Sequence, residues 1–283
     1  MSSLRKISCK TIRDTVERLF LEASTDLGKD VLGALKKAAS AEKSELARFA
    51  MERIIENARV AREECLPLCQ DTGMAVLFLE IGQDVHVTGG NLYDAVQEGV
   101  RRAYRKGHLR KSLCDPLSRV NTQDNTPAVI HTEFVPGNRI RIVAMPKGGG
   151  SENMSSVTML LPTAGVDGIR KLIVDKVRKA GPNPCPPTIV GVGIGGSIEQ
   201  ASLLAKKALL RPLGQRNRRD KRLAKLEAET LKEINNLGIG PQGYGGRATA
   251  LAVHVEMIPC HIASLPVAIN IQCHAARHKE AVI

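Results

Sequence analysis

Three of the seven cysteines are spaced in a way that could support chemistry. Cys69, Cys185 and Cys273 lie far apart in the chain, beside glycine, proline or small polar residues, and without the paired spacing of a zinc site. This arrangement suggests three thiolates that converge on one iron–sulfur cluster. Three protein ligands on a four-iron cube would leave the fourth iron free to bind substrate as a Lewis acid, which indicates catalysis rather than electron transfer.

The remaining cysteines favour structural roles. The odd count, the long chain and the lack of an export signal argue against a disulfide framework, so we expect reduced thiols. For Cys9, Cys65 and Cys114 we expect small, buried apolar side chains. A radical-enzyme pattern starting with Cys65 and Cys69 would need another cysteine at position 72, where Thr72 stands.

Composition limits the class of protein. With 283 residues, 43% of them hydrophobic, the chain can bury a sizeable core. Alternating helical and strand-like stretches with many glycines predict an α/β or mixed fold. No apolar run approaches the roughly 20 residues that cross a bilayer, and the N-terminus lacks an apolar signal-peptide core. We therefore expect a cytoplasmic protein without membrane partners.

The net charge of +12 raises nucleic-acid binding as an alternative. Aromatic residues make up only 2% of the chain and tryptophan is absent, so base-stacking platforms would be hard to build. The richest basic run, Arg211 to Arg222, is typical of a solvated surface between two helices. Positive potential equally suits an enzyme of dicarboxylates, and nucleic acid is kept as the remote alternative.

The local pattern predicts a helical N-terminal segment over residues 1–65, followed by strands and helices in alternation. The loop Leu66 to Gly73, which carries Cys69, leads into a predicted strand from Met74 to Ile81. A β-hairpin is predicted farther on, with strands Ala128 to Phe134 and Arg139 to Met145 around a Pro-Gly-Asn turn. Loops between such elements can aim side chains into a cleft.

Two glycine-rich segments could bind anions. Residues 147–153, KGGGSEN, present consecutive backbone amides without β-carbons and could form either a cradle for an anionic oxygen or a flexible turn. After a predicted strand, Gly191, Gly193 and Gly196 match the dinucleotide-binding pattern G-x-G-x-x-G. No strand ending in an acidic residue follows about 20 residues later, which argues against a nicotinamide enzyme.

Several motifs together resemble one family. They are LPLCQDTG, KGGGSEN, NPCPPTIVGVGIGG, GPQGYGG and HIASLPVAINIQC, in that order from the Cys69 loop to Arg277. On these residues the chain closely resembles the α subunit, or N-terminal cluster domain, of the class I fumarase and tartrate dehydratase family of iron–sulfur hydro-lyases. The resemblance implies one domain over residues 1–283, with a helical scaffold (1–65) and a cluster- and substrate-binding portion (66–283). It implies a mixed α+β fold with flanking helices.

The resemblance also supplies the cofactor. By similarity Cys69, Cys185 and Cys273 would ligate a [4Fe-4S] cluster whose fourth iron is open. Gln70, next to the first ligand, would contact substrate, and Arg110 would bind a carboxylate. Arginine suits that role because its planar fork of donors can grip both carboxylate oxygens, although a solvated arginine is also common in such a basic stretch.

The same similarity places Asp71 and His261 in catalysis. Asp71 could orient a histidine, and His261 corresponds to the active-site histidine of the family's HxASLP segment; from sequence alone it could equally be a buried core histidine. Gly149 or Gly150 would lend a backbone amide to the substrate. Cys260 directly precedes His261, but only Cys273 fits the family pattern for the third ligand.

The family resemblance implies a reversible hydration of a small unsaturated dicarboxylate, with fumarate to (S)-malate preferred and L(+)-tartrate or mesaconate-type substrates as alternatives. In this family the base that acts on carbon lies in a second module. Since the chain stops at Ile283, we expect a separate β subunit that completes the active site, in a heterotetramer.

Overall fold

The computed structural model describes residues 4–283, which pack as two compact units. Each unit is assembled from stretches that are separate in sequence. Unit 1 comprises residues up to Leu27, Ala58–Gly149 and Arg277–Ile283, and unit 2 comprises Gly28–Asn57 and Gly150–Ala276. Both combine helices with mixed sheets, so the α/β prediction is confirmed. The assignment of residues 1–283 to one functional domain stays a prediction.

The elements follow the chain in a regular alternation after the first helices. The first half contains β1 (Arg5–Ser8), α1 (Cys9–Thr25), α2 (Lys29–Ala41), α3 (Glu45–Glu63), β2 (Met74–Gly82), β3 (Val85–Thr88), α4 (Leu92–Lys106), β4 (Val129–Val135) and β5 (Ile140–Lys147). The second half contains α5 (Gly149–Glu152), β6 (Ser156–Leu160), α6 (Gly165–Ala180), β7 (Thr188–Ile194), α7 (Ile198–Ala208), α8 (Lys221–Asn235), β8 (Ala250–Met257), β9 (Leu265–Gln272) and β10 (Lys279–Val282).

Unit 1 is built around β2. The apolar sequence of this strand, MAVLFLEIG, is almost entirely buried, which fits a central position. It pairs in parallel with β4 and antiparallel with β5, giving the sheet order β10-β5-β2-β4. Helices α1 and α4 pack on this unit's core, and side chains of Ser8 and Asn91 cap their N-termini. The buried strand β2 therefore fixes the position of the loop that precedes it, at one end of the sheet.

The predicted hairpin between Ala128 and Met145 is wrong. Strands β4 and β5 exist, but β2 lies between them and hydrogen-bonds to both. The physical reason is burial: β2 is the most apolar of the three, and only the central position covers both of its edges and faces. The connection through Pro136-Gly137-Asn138 therefore joins strands that are not neighbours.

Unit 2 contains the sheet β6-β9-β7-β8, with β7 fully buried. A Cβ atom at Gly191 would lie 2.2 Å from the Ala205 carbonyl oxygen, and one at Gly193 would lie 2.0 Å from that of Ala201. These glycines let α7 pack directly on β7. Their matching of the dinucleotide pattern is thus accounted for by close helix–strand packing.

The three cysteines expected to be buried differ in their exposure to solvent. Cys9 is buried as predicted, whereas Cys114 is only half-buried. The prediction for Cys65 is wrong, since it is exposed. It follows α3 with φ +56°, a left-handed conformation that ends the helix and turns its side chain away from the core. Among residues 4–283, no helix is long and apolar enough to span a membrane.

Candidate functional site

In unit 1 the candidate site is the loop of residues 66–73, between α3 and β2. The loop is anchored at Leu68, a buried residue whose N–H donates to the Ser24 carbonyl oxygen at 2.9 Å. Beyond that anchor Cys69 is half-buried and Gln70 is exposed, and the Cys69 Sγ lies 3.5 Å from Gln70 Oε1. The first predicted ligand and the predicted substrate contact therefore both have access to solvent.

Asp71 connects this loop to the glycine-rich segment. Its Oδ1 accepts the Gly73 N–H at 2.9 Å, and its Oδ2 accepts the Gly149 N–H at 2.7 Å. A Cβ atom at Gly148 would lie 3.3 Å from Oδ2, so a residue with a side chain there would crowd the carboxylate. The Gly149 amide thus binds an anionic oxygen, and that oxygen belongs to Asp71. A substrate contact by Gly149 or Gly150 stays a prediction.

Gly73 is required by the path of the backbone. It has φ +79°, and a Cβ atom there would lie 2.6 Å from the backbone carbon of Lys147. Lys147 itself is completely buried at the end of β5, where it pairs with Met74 of β2. Sequence reasoning treated this lysine as part of a loop. Its position after seven strand residues was the available signal that it belongs to the sheet.

Buried side chains hold the other side of the loop. The hydroxyl of Tyr104 donates to the Thr72 and Gly73 carbonyl oxygens, at 3.1 and 2.8 Å, and Asn125 Nδ2 donates to that of Gly73 at 3.1 Å. Arg277 Nη2 donates to the carbonyl oxygen of Asp71. Burial raises the pKa of Tyr104, so its hydroxyl stays protonated and remains a donor. None of these three donors was picked out from sequence.

Arg110 is joined to the same loop through its backbone. Its carbonyl oxygen accepts from the Thr72 hydroxyl at 2.9 Å, while its side chain is exposed. Unit 1 therefore joins Arg110 and Gly149 by hydrogen bonds to the loop that carries Cys69, Gln70 and Asp71. An exposed guanidinium on an anchored backbone can reach an anionic ligand from solvent.

In unit 2 the second predicted ligand, Cys185, is exposed on the turn after α6. Its backbone has φ +54°, between Pro184 and Pro186, both buried. Gln242 secures this turn with its own backbone N–H and its Nε2, which donate to the Pro186 carbonyl oxygen at 2.8 and 2.9 Å. The turn is thus stiffened by ring constraint and by two hydrogen bonds from one residue.

Cys273, the third predicted ligand, lies in a segment next to the Cys185 turn. The N–H of His274 donates to the Cys185 carbonyl oxygen at 3.3 Å, and His274 Nδ1 lies 3.0 Å from the same oxygen. Gln242 Nε2 lies 3.1 Å from His274 Nδ1. Unit 2 therefore ties the Cys185 turn by hydrogen bonds to His274, the residue that follows Cys273.

His261 is exposed on the connection between β8 and β9. Its Nδ1 accepts the N–H of Ala263 at 3.1 Å, and its carbonyl oxygen accepts from Ser264. Because Nδ1 accepts, the neutral ring carries its proton on Nε2. Within residues 4–283 the hydrogen bonds of His261 stay inside its own loop, so it is presented to solvent rather than buried in the core.

The donor set fits an iron–sulfur cluster in its chemistry. No disulfide joins any of the seven cysteines, and the three predicted ligands are thiols on exposed or half-buried loops. Thiolates are the soft ligands that hold iron–sulfur clusters in proteins. In the part of the chain from residue 4 onward, no group of three or more His, Cys, Asp or Glu side chains is gathered for a single metal ion. Convergence of Cys69, Cys185 and Cys273 on one cluster therefore stays a prediction.

Comparison with known proteins decides the family. The fumarate hydratase (Fumerase) family matches residues 13–282, nearly the whole chain. The chain belongs to this family. The match includes every residue of the candidate site, so the resemblance on separate motifs is confirmed as family membership. The family is one of hydro-lyases, and it includes the class I fumarases and the tartrate dehydratase α subunits.

Individual relatives carry more specific names. A protein of Methanocaldococcus jannaschii, named provisionally as an L(+)-tartrate dehydratase subunit alpha, is 45% identical over 272 residues, covering 94% of this chain and 95% of its own length. The L(+)-tartrate dehydratase subunit alpha of Escherichia coli is 33% identical over 258 residues, covering 90% of this chain and 84% of its own. A Shigella boydii protein of the same name matches to the same extent.

Proposed function

We propose that this chain is the α subunit of a [4Fe-4S]-dependent hydro-lyase that dehydrates a small hydroxy-dicarboxylate, with L(+)-tartrate as the leading substrate. The observation that carries the proposal is the Cys69–Asp71 loop. In it a solvent-accessible thiol, an exposed amide side chain and a fixed carboxylate follow one another. Family membership over residues 13–282 supports assigning hydro-lyase chemistry to this loop.

Cys69, Cys185 and Cys273 would hold the cluster. When bound, a cluster with one iron free of protein ligands supplies a Lewis acid for the hydroxyl and carboxylate of the substrate. The three thiols suit this role because each lies on a loop that other residues hold in place, and none is enclosed in an apolar core.

His261 would assist the departure of the hydroxyl. The bond from the Ala263 N–H to Nδ1 leaves the proton of the neutral ring on Nε2, which is the atom available to a ligand. This Nε2–H group can donate a hydrogen bond to the hydroxyl oxygen and stabilise the negative charge that develops there as the C–O bond breaks. The exposure of His261 leaves Nε2 accessible to a bound substrate.

Arg110 and Gln70 would bind and orient the dicarboxylate. Both side chains are exposed, and both extend from backbone segments tied to the buried donors of unit 1. A guanidinium can bind a carboxylate through two parallel hydrogen bonds, which fixes orientation as well as position. Asp71, whose two oxygens already accept backbone amides, would hold these groups in register.

Two substrates remain in the proposal, each with its own support. L(+)-tartrate is favoured because the relatives at 45% and 33% identity are named as L(+)-tartrate dehydratase subunits. Fumarate, preferred from the sequence, is kept because the family is described by fumarate hydratase activity. Both reactions remove water from adjacent carbons of a four-carbon diacid, so one arrangement of residues serves either.

A separate β subunit is part of the proposal. The names of the relatives identify each as a subunit alpha, which implies another subunit in those proteins. We infer that this chain likewise needs a β subunit to supply the base that acts on carbon, in a heterotetramer. Cytoplasmic location is part of the same proposal.

The test is anaerobic co-expression of this chain with its β subunit, followed by assays of L(+)-tartrate dehydration and of malate–fumarate interconversion. We expect turnover only when both subunits are present, with a higher kcat/KM for L(+)-tartrate. Full activity from this chain alone would contradict the divided site. A higher kcat/KM for fumarate would replace the leading substrate with the second.

A further inference from the structure

Three consecutive backbone carbonyl groups of the Cys69 loop are each bound by a buried side chain. The Asp71 carbonyl oxygen accepts from Arg277. The Thr72 carbonyl oxygen accepts from Tyr104, and that of Gly73 accepts from Tyr104 and Asn125. Loop carbonyls are commonly left to water. Here all three are bound by protein donors from segments distant in sequence.

Arg277 is the most unusual of these donors. It is 2% exposed, and no carboxylate is paired with its guanidinium in the described residues. Its Nε and Nη1 atoms are buried without a hydrogen-bond partner, while Nη2 donates to Asp71. Burying an arginine without a counter-ion is costly, and a protein keeps such a residue where its charge or its donors serve a site.

The setting of Arg277 is electrostatically coupled to the loop. Burial raises the pKa of Tyr104, the positive charge of Arg277 opposes that rise, and the charge of Asp71 adds to it. Tyr104 therefore lies within the electrostatic influence of both Arg277 and Asp71. The Asp71 side chain in turn holds the amides of Gly73 and Gly149.

We propose that Arg277 is a positioning residue for this site, one that fixes the Asp71 peptide and thereby the orientation of Cys69 and Gln70 just before it. This inference rests on the proposed function and extends it to a residue with no expected contact to substrate. A hydrogen bond from a charged donor to a carbonyl is stronger than one from a neutral donor. Loss of Arg277 should therefore loosen the loop more than loss of the Tyr104 hydroxyl.

Amide hydrogen exchange on the full, iron-free chain tests the proposal. The reporter is the Gly73 N–H, which is bonded to Asp71 Oδ1 and exchanges only when the loop opens. We expect Arg277→Met to speed its exchange by roughly tenfold to a hundredfold, from the range for hydrogen bonds with charged donors. Arg277→Lys, which keeps a charge and a donor, should restore part of the protection, and Tyr104→Phe should speed exchange by a smaller factor.

Arg141→Met is the matched control. Arg141 is also in unit 1, and its guanidinium pairs with Glu80 and Glu280 on the sheet, away from the loop. The Arg141→Met variant should leave the exchange rate of the Gly73 N–H unchanged. Amides of α8, in unit 2, report any general loss of stability. Unchanged exchange at Gly73 in Arg277→Met would overturn the proposal, and so would equal acceleration at Gly73 and in α8. If Arg277→Met does not fold, the same comparison of Gly73 with α8 is made in Arg277→Lys and Tyr104→Phe.

A second readout separates this inference from the proposed function. In the loaded complex with the β subunit, Arg277→Met should lower kcat/KM for the diacid and Arg277→Lys should recover part of it. A wild-type complex without hydro-lyase activity would contradict the proposed function and leave the exchange result standing. A wild-type complex that is active, with Arg277→Met equally active, would contradict the positioning role alone.

Discussion

The loops that carry Cys69 and Cys185 are held in place by different means. Buried donors from residues 104, 125 and 277 hold the Cys69 loop, and Asp71 joins it to Gly149. The Cys185 turn is stiffened by the prolines beside it and secured by Gln242. One cysteine is thus positioned by tertiary structure, and the other largely by its own local sequence. Mutations far from Cys69 in sequence should therefore matter more than mutations far from Cys185.

The largest expected effect is at Gly73, where the Cys69 loop enters β2. Gly73→Ala places a Cβ atom 2.6 Å from the backbone carbon of Lys147, at φ +79°. We expect it to lower the free energy of unfolding of unit 1 by about 3 kcal/mol or more, because relieving the contact would require the backbone at Gly73 or at Lys147 to shift. Denaturant unfolding followed by circular dichroism measures the loss.

Gly89→Ala is the control for Gly73→Ala. Gly89 has φ +80° in the same unit, and its Cβ would meet nothing within 4 Å. It should cost only about 1 kcal/mol, from the left-handed conformation alone. Equal losses at the two positions would mean that backbone conformation, and not contact with Lys147, restricts the loop.

The pH dependence of the free energy of unfolding tests unit 2 separately from unit 1. In unit 2, burial and the nearby charge of Arg211 lower the pKa of His254 to about 4 from its usual 6.5, with Asp30 opposing them. Since the unfolded chain binds this proton more readily, the contribution is fully present above pH 6.5 and is lost as the pH falls toward 4. The free energy of unfolding should drop by about 3 kcal/mol over that window, measured by denaturant titration at each pH.

His254→Asn sharpens this measurement. Because the Ala208 carbonyl oxygen can only accept, His254 Nδ1 donates to it, at 3.1 Å, and the asparagine amide can take over that bond. The variant removes the titrating group, so the loss of stability between pH 6.5 and 4 should largely disappear. An unchanged pH dependence would assign the effect to other groups.

A smaller effect is expected at Gln242, beside the Cys185 turn. Gln242→Met removes Nε2, which donates to the Pro186 carbonyl oxygen and lies next to His274 Nδ1, and keeps the backbone N–H bond to Pro186. We expect a loss of about 1 kcal/mol in the free energy of unfolding, because one neutral hydrogen bond is lost while the prolines remain. Gln215→Met, at an exposed position, should change little. A loss as large as that at Gly73 would contradict the contrast between the two loops.

Much of the fold could be read from local patterns, and the failures share one cause. The strand predicted from Met74 to Ile81 matches β2 to within one residue, and the predicted helical stretch before it contains α1, α2 and α3, because such patterns are local properties. The hairpin failed because strand order depends on which strand is buried most, and β2 took the place between β4 and β5. Neighbours in sequence were not neighbours in the sheet.

The candidate site shows the same limit. The prolines around Cys185 are visible in the sequence, and their effect on the turn is local, since proline restricts its own backbone. Nothing local to Tyr104, Asn125 or Arg277 indicated that they would meet beneath the Cys69 loop. The sequence left the KGGG segment as either a cradle for an anionic oxygen or a flexible turn, and it did not indicate that the Gly149 amide would bind the carboxylate of Asp71.

The most direct test of the account is the iron and sulfide content of the anaerobically purified complex after single cysteine substitutions. The wild-type complex should contain about four irons and four sulfides per α chain. Cys69→Ser, Cys185→Ser and Cys273→Ser should each lose most of that iron, while Cys260→Ser, at an exposed cysteine beside His261, should keep it. Full iron content in any of the first three variants, or its loss in Cys260→Ser, would contradict the three-cysteine site.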